Sequence, residues 1–274
     1  MGGRTEVADA APRFAFGDNW ASYAALVDEE RLVEAERALA RLLADGLNGR
    51  TLLDVGCGSG LHAAAAGRLG AARIVAIDLD ARSVETTRAM LTRHAPHIPA
   101  EVRQADVLDL DPAAAGQFDV VYSWGVLHHT GAMHEAIARA AALVAPGGLF
   151  AFALYRRTRL CGLWAHEKRW YAAASPRAQA VARRIYMALL RTRFALTGGD
   201  FAGYVARYKS ARGMDLAHDV HDWMGGYPYE SITPAEVDDR MRKLGFEHVR
   251  SFTQARSLGL FGSGCDEYVY RRPA

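Results

Sequence analysis

The stretch LLDVGCGSG, residues 52–60, constrains this chain more than any other. An apolar strand runs into Asp54 and breaks at once into Gly56, Gly58 and Gly60, and an alanine-rich helical pattern restarts at Leu61. Glycine has no Cβ, so such a turn lets a ligand approach bare backbone. The restarting helix offers unpaired N–H groups in its first turn. The expectation is a strand–loop–helix unit that holds a nucleotide-like cofactor.

Strands and helices alternate from there on. Strands are expected at 50–54, 73–77, 101–105, 118–123 and 149–155, with helices at 61–69, 81–94 and 133–144. Nearly continuous apolar strands in this rhythm imply an α/β fold with a parallel sheet covered on both faces. Pro146-Gly147-Gly148 reads as the turn into the fifth strand. Residues 18–44 read as one long amphipathic helix. After Tyr155 the rhythm gives way to basic, aromatic helices, with turns at Ser175-Pro176, Gly198-Gly199 and Gly225-Gly226. It resumes with a helix at 234–244. Two closing strands, 247–254 and 265–271, lie close enough in sequence to be antiparallel. The division is thus an N-terminal helical cap (1–49), a cofactor-binding core (50–155), a helical insertion over the substrate (156–230) and a C-terminal helix with a strand pair (231–274).

Three loop acids separate the two kinds of cofactor loop. A dinucleotide fingerprint is G-x-G-x-x-G, but here the spacing is G-x-G-x-G behind Asp54. An acid at the end of the first strand repels a pyrophosphate and suits a ligand bearing an amino acid or a cation. Asp78 ends the second strand, where a ribose diol can be held. Asp106 follows the third, where it can receive an adenine amino group.

DVGCGSG, AIDLD, QADVLD, FDVVYSWGVLHHT and LVAPGGLF, in this order, resemble the class I S-adenosylmethionine-dependent methyltransferases. The likeness covers about residues 50–155 and the closing strand pair. It implies a doubly wound, mostly parallel seven-stranded Rossmann-like sheet, S-adenosylmethionine as cofactor and S-adenosylhomocysteine as product. By this resemblance Asp54, Gly56, Gly58 and Gly60 surround the methionine part, and Asp78 with Leu79 the ribose. Asp106 and Val107 lie by the adenine, and Ser123 and Trp124 close the methionine side. FGDNW and HDVHDWMGGYP look like the signature of a bacterial subgroup to which no single substrate attaches. Trp20 and Tyr23 share a helix face and suit a cover over the cofactor, although both rings also suit a core.

The acceptor side is written after residue 155. Between residues 156 and 214 thirteen Lys or Arg face two acids, Glu167 and Asp200, whereas the whole chain is only +2. That surplus predicts an anionic small molecule, the alternative being a solvated basic face. His128, beside His129 in the loop after the fourth strand, is a candidate base or a structural imidazole. Asp215, His218, Asp219, His221, Asp222, Trp223, Tyr227 and Tyr229 crowd one segment. On a helix His218, His221 and Asp222 would share a face. They can be an acid–base group, a structural network or, less favoured, a divalent metal site. The catalytic candidates are therefore His128, His218, His221, Asp222 and Tyr229, and no metal ligand is assigned.

The reading is an S-adenosylmethionine-dependent methyltransferase of specialised metabolism, acting by in-line methyl transfer on a small anionic molecule. Alternatives are a prenyl diphosphate, a carrier-bound acyl group, RNA, an atypical cyclisation consuming the same cofactor, or a non-catalytic binder. No apolar run reaches membrane-spanning length. The three scattered cysteines form neither a disulfide framework nor a zinc cluster, so a cytoplasmic protein is expected.

Overall fold

The computed structural model describes residues 14, 16–212 and 216–274. Residues 1–13 of the expected cap, and Asp215 of the acidic cluster, lie outside them.

Two helices open the chain, α1 (Phe16–Ala24) and α2 (Glu29–Leu42). The single helix expected over 18–44 is therefore broken. Asp28 breaks it, because its extended backbone and its carboxylate cap α2 through the Arg31 N–H at 3.0 Å. Arg31 also donates to the Leu26 carbonyl at 2.7 Å and fixes the turn.

The core then follows as β1 (Thr51–Val55), α3 (Leu61–Arg68), β2 (Arg73–Asp78), α4 (Ala81–His94), β3 (Ala100–Gln104), a short α5 (Pro112–Ala115), β4 (Phe118–Trp124), α6 (Met133–Ala142) and β5 (Val144–Tyr155). β5 starts earlier than expected. Val144 already pairs with Phe118, so Pro146-Gly147-Gly148 forms an irregularity inside the strand rather than a turn before it.

The inserted helices are α7 (Cys161–Ala173), α8 (Pro176–Leu196), α9 (Phe201–Arg212) and α10 (Leu216–Gly225). α11 (Pro234–Lys243), β6 (Glu247–Phe252) and β7 (Cys265–Arg271) complete the chain. The seven strands run in the order β3-β2-β1-β4-β5-β7-β6. The first five are parallel, β7 is antiparallel to β5, and β6 is antiparallel to β7.

Successive strand side chains point to opposite faces. Leu52, Ile74 and Val120 pack under α2, α3 and α4 with Leu32, Leu39 and Leu42. Leu53, Val75, Val121 and Phe150 pack with Ile137 of α6 and Met241 of α11. Each such fully buried aliphatic side chain stabilises by roughly 1.5–3 kcal/mol. The insertion has a smaller core of its own, formed by Tyr171, Tyr208, Leu216, Val220 and Met224. It leaves the sheet at Arg156 and returns at Ile232, and the two form a bridge. Ile232 N–H donates to the Tyr155 carbonyl at 3.0 Å, and Arg157 N–H to the Ile232 carbonyl at 2.9 Å.

Because β1 leads outward to β2 and β4 leads the other way to β5, a crevice opens over the carboxyl ends of β1 and β4. Among the described residues no helix is long and apolar enough to cross a membrane.

Candidate active site

A cavity of about 790 Å³ lies in that crevice and continues beneath the inserted helices. Gly56, Cys57, Gly58, Asp78, Leu79, Asp106, Val107 and Trp124 line its sheet side. Asp78 ends β2 and has a donor on each oxygen, Gly58 N–H and Asp80 N–H, both at 2.9 Å. A carboxylate retains further lone pairs for a ligand in this state. Burial raises its pKa against the pull of those backbone bonds. Asp106 caps the short turn Val107–Asp109 through Leu108 N–H at 2.9 Å. Cys57 faces the cavity, but burial and the charges of Asp54 and Asp78 push its thiol up, which leaves it unreactive.

Asp54, Gly60 and Ser123 stand behind that wall. Asp54 is only 3% exposed, and burial together with Asp78 raises its carboxyl to about 7. Gly60 begins α3 with φ +75°, and a Cβ there would lie 2.7 Å from the Thr87 Cα. Only glycine fits both demands. Ser123 donates to the Val55 carbonyl at 3.0 Å and ties β4 to β1.

α1 closes the top. Trp20 lies against Gly58, and Tyr23 meets the Trp20 ring edge-on at 5.8 Å. Both line the cavity, as does Phe16. Asp80 holds the helix in place by accepting Gly17 N–H at 3.1 Å, and Arg82 adds an ion pair to Asp18 at 3.0 Å. A Cβ at Gly17 would overlap the Asp80 carboxylate, which explains the glycine of FGDNW. Asn19 donates to the His218 carbonyl at 3.4 Å, so α1 is also tied to α10.

The five catalytic candidates separate. Asp222 lines the cavity, and burial, then Asp219, raise its carboxyl to about 7, opposed by Lys168. His218 and His221 turn to a different, smaller depression that also holds Arg183 and Ser22. His218 Nε2 meets Ser22 Oγ at 3.1 Å. His221 Nδ1 accepts from Arg183 at 3.0 Å and lies 2.7 Å from the Tyr171 hydroxyl. Burial and Arg183 lower its pKa to about 4. α10 carries His218, His221 and Asp222 at helical spacing as expected, but Asp222 lines the cavity while the two histidines line the smaller depression, and the described residues contain no metal-holding cluster.

His128 is wholly buried behind Tyr155, whose N–H donates to its Nδ1 at 3.3 Å. Tyr229 is occupied with Cys161 and Ser263, each at 3.2 Å. His129, the neighbour of His128, does line the cavity. Its Nδ1 donates to the Pro228 carbonyl at 2.7 Å, and burial lowers its pKa to about 3, so the ring is neutral.

The remaining wall is aromatic, with Tyr155, Tyr186, Tyr204, Tyr208, Trp223 and Phe261. Phe261 comes from the loop between β6 and β7, which carries Gly259, Gly262 and Gly264. That loop docks on the insertion, since the Trp164 indole donates to the Gly259 carbonyl at 2.6 Å and Tyr186 to the Phe261 carbonyl at 3.0 Å. Its glycines were the available signal, because a Cβ at Gly262 would lie 2.8 Å from Trp223.

The arginine surplus lies largely elsewhere. Arg156 pairs with Asp266 at 3.2 Å and Arg157 with Glu236 at 2.6 Å. Among the described residues, Arg193 is the one arginine on the cavity wall.

Comparison with known proteins places this geometry. A family described as a methyltransferase domain matches residues 53–152. A ubiquinone biosynthesis O-methyltransferase of Caulobacter sp. (strain K31) is 38% identical over 131 residues, 45% of this chain and 50% of that protein. The chain spans about half the length of the curated relatives it matches first. The fold is like that of magnesium protoporphyrin IX methyltransferase from Synechocystis, solved with bound SAH, at TM-score 0.53 and 16% identity over 89% of this chain and 84% of that one. It is also like the N-methyltransferase NodS from Bradyrhizobium japonicum WM9, solved with S-adenosyl-L-homocysteine, at TM-score 0.51 and 17% identity over 94% and 99%.

Proposed function

This chain carries a class I S-adenosylmethionine-dependent methyltransferase domain, and from that premise we propose that it methylates a hydroxyl group on a small, ring-bearing molecule. The observation that carries the reading is one continuous cavity with Gly56, Gly58, Asp78 and Asp106 at one end and Asp222 among aromatic rings at the other.

The sheet end fits the cofactor. Asp78 has lone pairs left for a ribose diol, Asp106 and Val107 stand where an adenine would lie, and bare glycine backbone leaves room for the methionine part. Bound there, S-adenosylmethionine supplies a methyl group already activated on a sulfonium. The protein must then align the acceptor, exclude water and take a proton. Asp222 is the group suited to the last task. It faces the cavity, and a carboxyl poised near 7 is matched to general base work at neutral pH. His129, held neutral and oriented by Pro228, lines the same space and positions the acceptor.

Tyr155, Tyr208, Trp223 and Phe261 favour a flat, apolar body. The O-methyltransferase relatives support oxygen as the acceptor atom. The expected anionic group keeps one partner, Arg193, at which a carboxylate or phosphate on the same molecule would end. The role in specialised metabolism and the cytoplasmic location belong to the same proposal, and the cysteines, none of them in a disulfide, agree with the latter.

The test is transfer of a labelled methyl group to a panel of hydroxylated aromatic compounds, with and without a carboxylate. Turnover of the hydroxylated members, lost in Asp222→Asn with cofactor affinity retained, is the expected result. Transfer only to amines or thiols, or full activity of Asp222→Asn, would overturn it.

A further inference from the structure

Lys168 of α7 has no exposed surface, and its ammonium nitrogen has no hydrogen-bond partner. Buried ionisable groups are normally paired, so an unpaired one requires a reason. The Nζ lies 3.5 Å over the Trp223 ring and 5.3 and 5.9 Å from the rings of Tyr229 and Tyr155. Trp223 follows Asp222 on α10, and Asp222 Oδ1 is likewise buried without a partner. Asp222 and Trp223 both line the cavity, while Lys168 of α7 reaches the Trp223 ring without lining the cavity itself.

We propose that Lys168 is a positioning residue that sets the proton occupancy of Asp222 from its place over Trp223, keeping the carboxylate able to accept a hydroxyl proton near neutral pH. This rests on the methyl-transfer reading of the cavity. Three features support it. The amine is enclosed by ring faces, which attract a cation without competing for its protons as a carboxylate would. Burial disfavours the charge on both groups, and each charge favours the other. Among the described residues, the cavity wall carries a single lysine or arginine, Arg193.

Other groups act on the pair. Glu167 of α7 has both carboxylate oxygens buried without partners. Asp219 of α10 opposes ionisation of Asp222. Cys161 of α7 and Cys265 of β7 favour the charged amine, while His128 and His129, in the loop after β4, feel its charge. Tyr155 and Tyr229 contribute ring faces. In the reaction the acceptor O–H proton passes to Asp222, the oxygen–methyl bond forms, the methyl–sulfur bond breaks and sulfur leaves as a neutral thioether.

Two measurements test the pair, one without turnover. Tryptophan emission is titrated between pH 5 and 9 in the wild type, with Trp223→Phe subtracted to isolate Trp223. A step is expected, because a charge so close to the indole alters its emission. It should vanish in Lys168→Met and move to lower pH in Asp222→Asn, which keeps the shape of the side chain but removes its charge. A step that persists in Lys168→Met, or stays in place in Asp222→Asn, overturns the proposal. The second measurement is the pH profile of kcat/KM. Removing the cation should move its acid limb upward by about one pH unit in Lys168→Met, with Lys168→Arg restoring it. An unmoved limb also overturns the proposal. If no acceptor is turned over at all, the methyl-transfer reading fails, while the emission titration still decides the role of Lys168.

Discussion

Residues 53–152 place their cavity groups by backbone geometry, whereas residues 156–230 place theirs by packing between helices. In the first region Asp78, Asp106 and the glycines reach the cavity because β1, β2 and β3 end side by side and their loops face one way. In the second, Asp222 and His221 are adjacent on α10, yet they face different depressions. The frame of parallel strands decides where a loop acid points. The rotation of a helix is decided by whatever it packs on, here Tyr171, Tyr208 and the docking loop between β6 and β7.

The sharpest way to break this contrast is Asp222→Asn. If packing has delivered the base to the cavity, kcat should fall on the order of 100- to 10,000-fold while cofactor affinity by calorimetry stays the same. A fall in affinity instead would mean that Asp222 serves the cofactor end. Next in size is Gly60→Val, which tests the backbone side. The residue combines φ +75° with the nearby Thr87 backbone, so urea unfolding should show a loss of about 3 kcal/mol or more.

Asp78→Ala should weaken S-adenosylmethionine binding on the order of 30-fold, about 2 kcal/mol, in the range of a lost charge-assisted hydrogen bond. Unchanged binding would remove the ribose assignment. Asp54 gives a comparison by pH. Its carboxyl stands near 7 in the folded chain, above its unfolded value. The folded state therefore keeps a proton that the unfolded state releases. The contribution is complete below about pH 4 and is lost as pH rises through 7. Stability measured without cofactor should fall by a few kcal/mol across that window, and Asp54→Asn should flatten the fall. The smallest effect belongs to His221→Ala. It should lower stability by about 1 kcal/mol through its Tyr171 and Arg183 contacts and leave kcat within a few-fold.

The α/β frame was legible in the sequence because strand ends and helix starts carry local signals, such as the glycines after Asp54 and Pro234 behind the Thr233 cap. The break at Asp28 was legible in principle as a capping residue, but hydrophobic periodicity on both sides concealed it. Asp54, Gly60 and Ser123 match the loop pattern but stand behind the wall, since a motif fixes the order of residues and not the depth of each one. Of the two neighbouring histidines the candidate, His128, lies in the core, and a step of one residue in the short turn carries His129 to the cavity instead. The arginines misled for a similar reason: charge surplus counts side chains, whereas their direction depends on partners such as Asp266 and Glu236. Lys168 gave no signal, because nothing near it in sequence distinguishes a buried lysine from a solvated one.

The bridge between Arg156 and Ile232 has a wider consequence. A segment whose two ends meet at one point is topologically a plug, and its replacement leaves the sheet threaded as before. If the insertion holds the acceptor as proposed, acceptor preference and cofactor use can diverge separately. A graft that respects the junction at Tyr155 and Ile232, and supplies a surface for the loop between β6 and β7, inherits the methyl-donor half intact.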